Sequence, residues 1–287
     1  MSKNPFLDQS ALLPGPVREA YHQRFGVLPW AHAVPDIENW GDTPLGESLL
    51  LEEQSKLDEA LGYMFGYHLL QLSVDRRAKL YGNSKVNHCF GLHPLTCSGG
   101  EVRGLSDFEQ LPLEKRSIDV AILHHVLDYA EHPHRVLREV VRTLVPHGYL
   151  VLVGFNPASP MGASSLIARH VSRKSHQRKN ALRLSRVVDW LRVLDCEPVR
   201  IDHGHFRLPF NSRFLVNHTR WLEKLGGKLL KPMGSFYMIV ARKEQVSSIP
   251  MKPQWQPVNV MSGFGVGKVT SRVPEGVAVK SASKIKH

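Results

Sequence analysis

Three groups of residues have the types and spacing to do chemistry. His88, Cys89, His93 and Cys97 lie close together and carry donor atoms that chelate zinc. Their Cys-x3-His-x3-Cys spacing matches no common structural zinc pattern, so buried thiols and surface histidines are expected and no metal. Gly263-Phe264-Gly265-Val266-Gly267-Lys268 carries the glycines and lysine of a phosphate-binding loop. A nucleotide loop also needs Ser or Thr directly after the lysine, a strand before and a helix after. All three are missing and Pro274 closes the region, so no nucleotide site is expected there. The third group is cationic. Arg169, Arg173, Lys174, Arg178, Lys179, Arg183 and Arg186 follow one another without an intervening acid, and residues 242–287 hold eight Lys or Arg against Glu244 and Glu275. Such blocks attract nucleic acid, anionic lipid head groups or phosphorylated ligands; they also serve as a solvated helix face and a solubilising tail. Few aromatic residues accompany them, so base stacking has little to work with.

These groups act only if folded elements hold them. The chain has 287 residues, 42% of them apolar, and a formal net charge of +11. That supports a sizeable core. No apolar run approaches the roughly 18 residues of a membrane span, and the N-terminus lacks the pattern of a secretory signal. Three cysteines without a CxxC pair suit a reducing compartment, so a cytoplasmic location is expected. Residues 1–40 read as an irregular extension punctuated by Pro14, Pro16, Pro29 and Pro35, with one short helix over 17–24. A helix follows Pro44-Leu45-Gly46, with Leu50, Leu57, Leu61 and Met64 at helical spacing and Glu52, Glu53 and Lys56 between them. Strands are predicted over 68–72 and 86–92. Ile118 to Leu123 is a buried-type strand. Residues 133–144 form an amphipathic helix stopped by Pro146-His147-Gly148, and Tyr149 to Val153 is the next strand. Strand, helix and strand at this spacing imply a parallel sheet covered on both faces. Ser185 is placed as the N-cap of another helix, followed by strands over 198–201 and 235–241. The segment 244–287 has no periodicity and reads as a disordered basic tail.

Asp107-Phe108-Glu109-Gln110-Leu111-Pro112-Leu113 with Ser117-Ile118-Asp119-Val120 resembles the D-x-x-x-L-P-(F/L)…D-V segment of class I S-adenosylmethionine-dependent methyltransferases. His125 to Tyr129 and the helix 133–142 are similar to that family's strand-4 exit and next helix. Leu144-Val145-Pro146-His147-Gly148-Tyr149-Leu150-Val151 resembles L-x-P-G-G-x-L-V, with His147 at the first glycine. Ser185 to Ile201 resembles the family's last helix-to-strand passage, with Cys196 at its glycine. In order and spacing these pieces cover residues 41–243, which resemble a methyltransferase type 11 domain. Trp40-Gly41-Asp42 and Gly154-Phe155-Asn156-Pro157 look like a bacterial YafS-like branch. Asn156-Pro157 also looks like part of an amino-methyltransferase motif, but that motif follows strand 4 and this pair follows strand 5.

The resemblance implies an α/β, Rossmann-like class I methyltransferase fold: a seven-stranded, mostly parallel sheet with one antiparallel strand and helices on both faces. It implies S-adenosyl-L-methionine as cofactor, bound at the carboxyl ends of the first strands, and a methyl acceptor that the sequence leaves unidentified. By position, Gln71 stands where the family has the acid of its glycine-rich turn, and Ser73 and Asp75 where it has two glycines. The strand-2 exit, placed near Phe90-Gly91-Leu92, lacks the acid that holds the ribose hydroxyls. Asp107 stands where an acid accepts the adenine amino group and Phe108 where a backbone amide meets the ring; Asp107 reads equally as a turn cap. His124 falls beside the cofactor. The sulfonium is already activated, so a base is needed only if the acceptor must lose a proton, and His125 is the candidate. Two other readings stand beside this one: a catalytically degenerate relative that acts as a binding partner, and a polyanion-binding protein that uses its basic segments.

Overall fold

The computed structural model describes residues 27, 30–75, 78–94, 104–164, 179–206 and 233–244. The short helix expected over 17–24, most of the 169–186 block and the tail from 245 lie outside the described residues.

Helix α1 spans Trp30–Gly41 and buries Ala33, Val34 and Ile37. It occupies a stretch expected to be irregular. Pro35 removes one backbone donor from it. Burial of three apolar side chains on one face outweighs that loss. Helix α2 spans Pro44–Leu61. Its start is set by Thr43, whose Oγ1 accepts the Gly46 amide at 3.2 Å, and by Pro44 in the first turn. A Cβ on Gly46 would run into the Trp40 carbonyl, so glycine lets α1 and α2 meet closely.

Strands β1 (His68–Ser73), β2 (His88–Pro94), β3 (Gly104–Ser106), β4 (Ile118–His124) and β5 (Leu144–Phe155) pair in parallel in the order β3-β2-β1-β4-β5. The sheet continues through β7 (Phe236–Lys243) to β6 (Cys196–Gly204), seven strands in all, and β7 runs antiparallel to both neighbours. Successive residues of β1, β4, β5 and β7 are buried, as a sheet covered on both faces requires. Between β4 and β5 lie the short helix α3 (Val126–Tyr129) and α4 (Pro133–Thr143). Helix α4 buries Val136, Leu137, Val140 and Val141, and Lys243 Nζ donates to the Val141 and Leu144 carbonyls at its end.

Strand β5 starts at Leu144, directly after α4, and passes through Pro146-His147-Gly148. His147 takes φ 64°, the left-handed conformation that explains the family's glycine at this place. Asp119 ties β4 to the start of β1, its Oδ2 accepting the Tyr67 and His68 amides at 2.9 Å. Helix α5 spans Leu184–Val193 with Arg183 as N-cap, so Ser185 sits inside the first turn and does not cap it. Its buried face is Val187, Trp190 and Leu191.

Candidate functional site

Because β1 to β4 are parallel, their carboxyl ends share one edge of the sheet. Ser73 ends β1, Pro94 ends β2, Asp107 follows β3 and His124 ends β4. Open α/β sheets bind ligands along this edge.

At the β1 exit Ser73 and Asp75 are buried, in the places expected for glycines. Ser73 Oγ donates to the Asp75 carbonyl at 2.9 Å and lies 3.2 Å from His124 Nδ1 across the β1–β4 pair. Gln71 is buried and works on the backbone: its Nε2 donates to the Ala78 carbonyl, and its Oε1 accepts the Leu80 amide at 2.9 Å. It thereby holds the segment after the turn against β1. The β2 exit lies at Pro94, two residues past the expected Phe90-Gly91-Leu92 boundary. There the buried His93 places Nδ1 3.1 Å from the Ser73 carbonyl. Asp107 is exposed, and its Oδ1 accepts the Glu109 amide at 2.9 Å, a turn cap. The Phe108 ring is buried and meets Trp30 edge-on at 5.6 Å.

The densest chemistry lies at the β4 exit. Glu53 of α2, 1% exposed, places Oε2 3.0 Å from His124 Nε2 and Oε1 3.0 Å from His125 Nε2. On its other side His125 Nδ1 lies 3.0 Å from Asp128 Oδ2, which also accepts the Phe155 amide at 3.0 Å. His125 has φ 56° and stacks on Phe155 with centroids 3.9 Å apart. Lys179 Nζ sits 3.3 Å from the Phe155 ring centroid. Asn180 braces the short helix α3, its Nδ2 donating to the Leu127 and Ala130 carbonyls.

Burial alone would neutralise Glu53, but the charge of His125 and hydrogen bonds from both histidines bring its pKa down to about 2. Burial likewise opposes the charge on His125; Glu53 and the bond to Asp128 override it and raise the pKa to about 9. His124 moves the other way, lowered by burial and by the neighbouring His125 charge. Burial lowers Lys179 to about 8 despite Asp128 and Glu53.

The structure therefore brings Ser73, Asp75 and His124 together and leaves Asp107 apart on the β3 exit. His125, expected as a base, faces carboxylates with both ring nitrogens. Glu53 carries the cluster, and its signal in the sequence was phase: it lies four residues after Leu49 and four before Leu57, within the buried stripe of α2.

A family model described as a methyltransferase domain matches residues 99–152. The uncharacterized protein YafS of Escherichia coli (strain K12) is 33% identical over 239 residues, 81% of this chain and 90% of that protein. The chain belongs to the YafS-like branch of the class I S-adenosylmethionine-dependent methyltransferases. S-adenosyl-L-methionine is the cofactor of that family. Among solved structures, a methyltransferase bound to the Haloferax volcanii Trm112 activator is similar, with 14% identity, TM-score 0.48, and coverage of 73% of this chain and 98% of that one. A SAM-dependent methyltransferase from Archaeoglobus fulgidus is also similar, with 17% identity, TM-score 0.47, and coverage of 68% and 94%. No helix among the described residues is long and apolar enough to cross a membrane.

Two observations bear on how the residues fit this cofactor. Asp107 presents a solvent-facing carboxylate at the β3 exit, as an adenine amino group needs. Ser73 turns its hydroxyl inward onto Asp75 and His124, so the residue at the glycine place folds into the turn and does not project from it. The residues fit.

Proposed function

We propose that this chain transfers a methyl group from S-adenosyl-L-methionine to an acceptor, with a cytoplasmic site of action. The observation that supports the reading is the meeting of Ser73, Asp75 and His124 at the β1 and β4 exits, on the carboxyl edge of a parallel sheet along which Asp107 follows β3. When bound, the cofactor supplies an activated methyl group that needs no further activation by the protein. Asp107 and the Phe108 amide hold the adenine; Ser73, Asp75 and His124 border the methionine end. Gln71 acts through the backbone of residues 78–80, shaping the turn. His125 has no free lone pair while it bridges Glu53 and Asp128, so it positions the β4 exit and does not take the acceptor's proton. Catalysis then rests on holding the acceptor in line with the methyl group.

Calorimetric titration of the full chain with S-adenosyl-L-methionine checks this. A saturable heat at cofactor concentrations up to millimolar is expected. No heat in that range rejects the reading, and binding without methyl transfer to any cellular acceptor favours the degenerate relative.

A further inference from the structure

We infer that Glu53, His124 and His125 form a binding site for one divalent first-row transition-metal ion, which clamps α2 over the carboxyl ends of β1 and β4.

The ligand set comes first. Among the described residues this is the one group of histidine and carboxylate donors that converges, with one ligand atom from each within 4.8 Å of the others. All three residues are buried. Two donors about 2.1 Å from a tetrahedral ion lie about 3.4 Å apart. His124 Nε2 lies 3.0 Å from Oε2 and His125 Nε2 3.0 Å from Oε1, one ring on each oxygen of the same carboxylate, so a small outward shift of the rings admits an ion. Two imidazoles and a carboxylate suit zinc and its first-row neighbours, whereas magnesium and calcium prefer oxygen alone.

The outer partners come second. A ligating histidine usually donates its other ring N–H to an oxygen that fixes its tautomer and orientation. His125 Nδ1 faces Asp128 Oδ2 at 3.0 Å, and His124 Nδ1 faces Ser73 Oγ at 3.2 Å. Both rings therefore aim Nε2 at the same carboxylate.

The test uses the full chain without an affinity tag, stripped with a chelator and titrated with Co2+, and its readout does not depend on cofactor binding or methyl transfer. The expected result is about one Co2+ per chain with the visible absorption of a protein-bound, low-symmetry ion, X-ray absorption showing two imidazole ligands, and displacement by Zn2+. Glu53→Gln and His124→Asn should each weaken Co2+ binding by 10-fold or more, on the order of the 10–100-fold lost even on removing an outer partner. His88→Ala is the control: His88 and His68 are exposed with Nδ1 atoms 3.3 Å apart, a surface pair able to chelate, and its loss should leave binding unchanged. The wild-type titration decides without any variant. No visible absorption under excess Co2+, or an X-ray absorption spectrum without two imidazoles, overturns the site. So does binding that His88→Ala removes.

Discussion

A fully buried carboxylate persists only where charge and hydrogen bonds compensate its lost hydration, and Glu53 has two imidazoles for that purpose. Glu53→Ala leaves both Nε2 atoms facing a void. It should cost about 3–5 kcal/mol, read as a lower midpoint in urea denaturation. A loss within experimental scatter would mean that the cluster relaxes or hydrates freely. Cys196 offers a second check. Burial is the main cause that raises its thiol to about 11, opposed only by Lys243. The reactive species is the thiolate, which grows as pH rises toward the pKa. Iodoacetamide at pH 8 should therefore leave Cys196 unmodified in the folded protein and label it in urea, by peptide mass spectrometry. Labelling at pH 8 in the native state would show the thiol to be accessible.

Among the elements, α1 is the most informative. Ile37 belongs to the core although it lies before residue 41, where the sequence placed the start of the domain. Ile37→Ala should cost about 2 kcal/mol or more in the same denaturation experiment. A neutral substitution would return this segment to the status of an extension. The elements that were legible are those whose apolar pattern leaves one solution: β4, β5 and β7 as short buried runs, and α4 with its full apolar stripe facing arginines. The helix at 30–41 was hidden by Pro35, a breaker that tertiary burial overrides. The β2 exit was set too early because β2 pairs on both sides and carries His93 and Pro94 inside the sheet, residues that read as loop. Ser185 looked like a cap by type, but the N-cap lies two residues earlier at Arg183, whose side chain makes no capping bond. At the site, His124 and His125 were legible as residues following a strand. Their partner was not, because acids between leucines are ordinarily read as a solvated face, and only the phase of Glu53 separates it from its half-buried neighbours Glu52 and Gln54.

For the molecule as a whole, the seven strands form one continuous sheet whose middle is dry and whose edges are not. β3 and β6 are the edge strands, and β6 exposes Val199 and Ile201. Hydrogen exchange followed by mass spectrometry should protect peptides from β4 and β5 longest and release β6 early. Equal protection of β6 and β4 would indicate that something covers that edge.

The span between Glu53 and its histidines also has a temporal meaning. The carboxylate precedes its partners by 71 and 72 residues. As the chain emerges from the ribosome, α2 is complete long before β4 exists, and its one acid on the apolar face then has no base to meet. Closing so long a loop is entropically slow relative to local helix formation. The His124–Glu53–His125 junction thus waits for β4. It marks the moment at which α2 stops being a free segment and becomes the cover of the β1 and β4 exits.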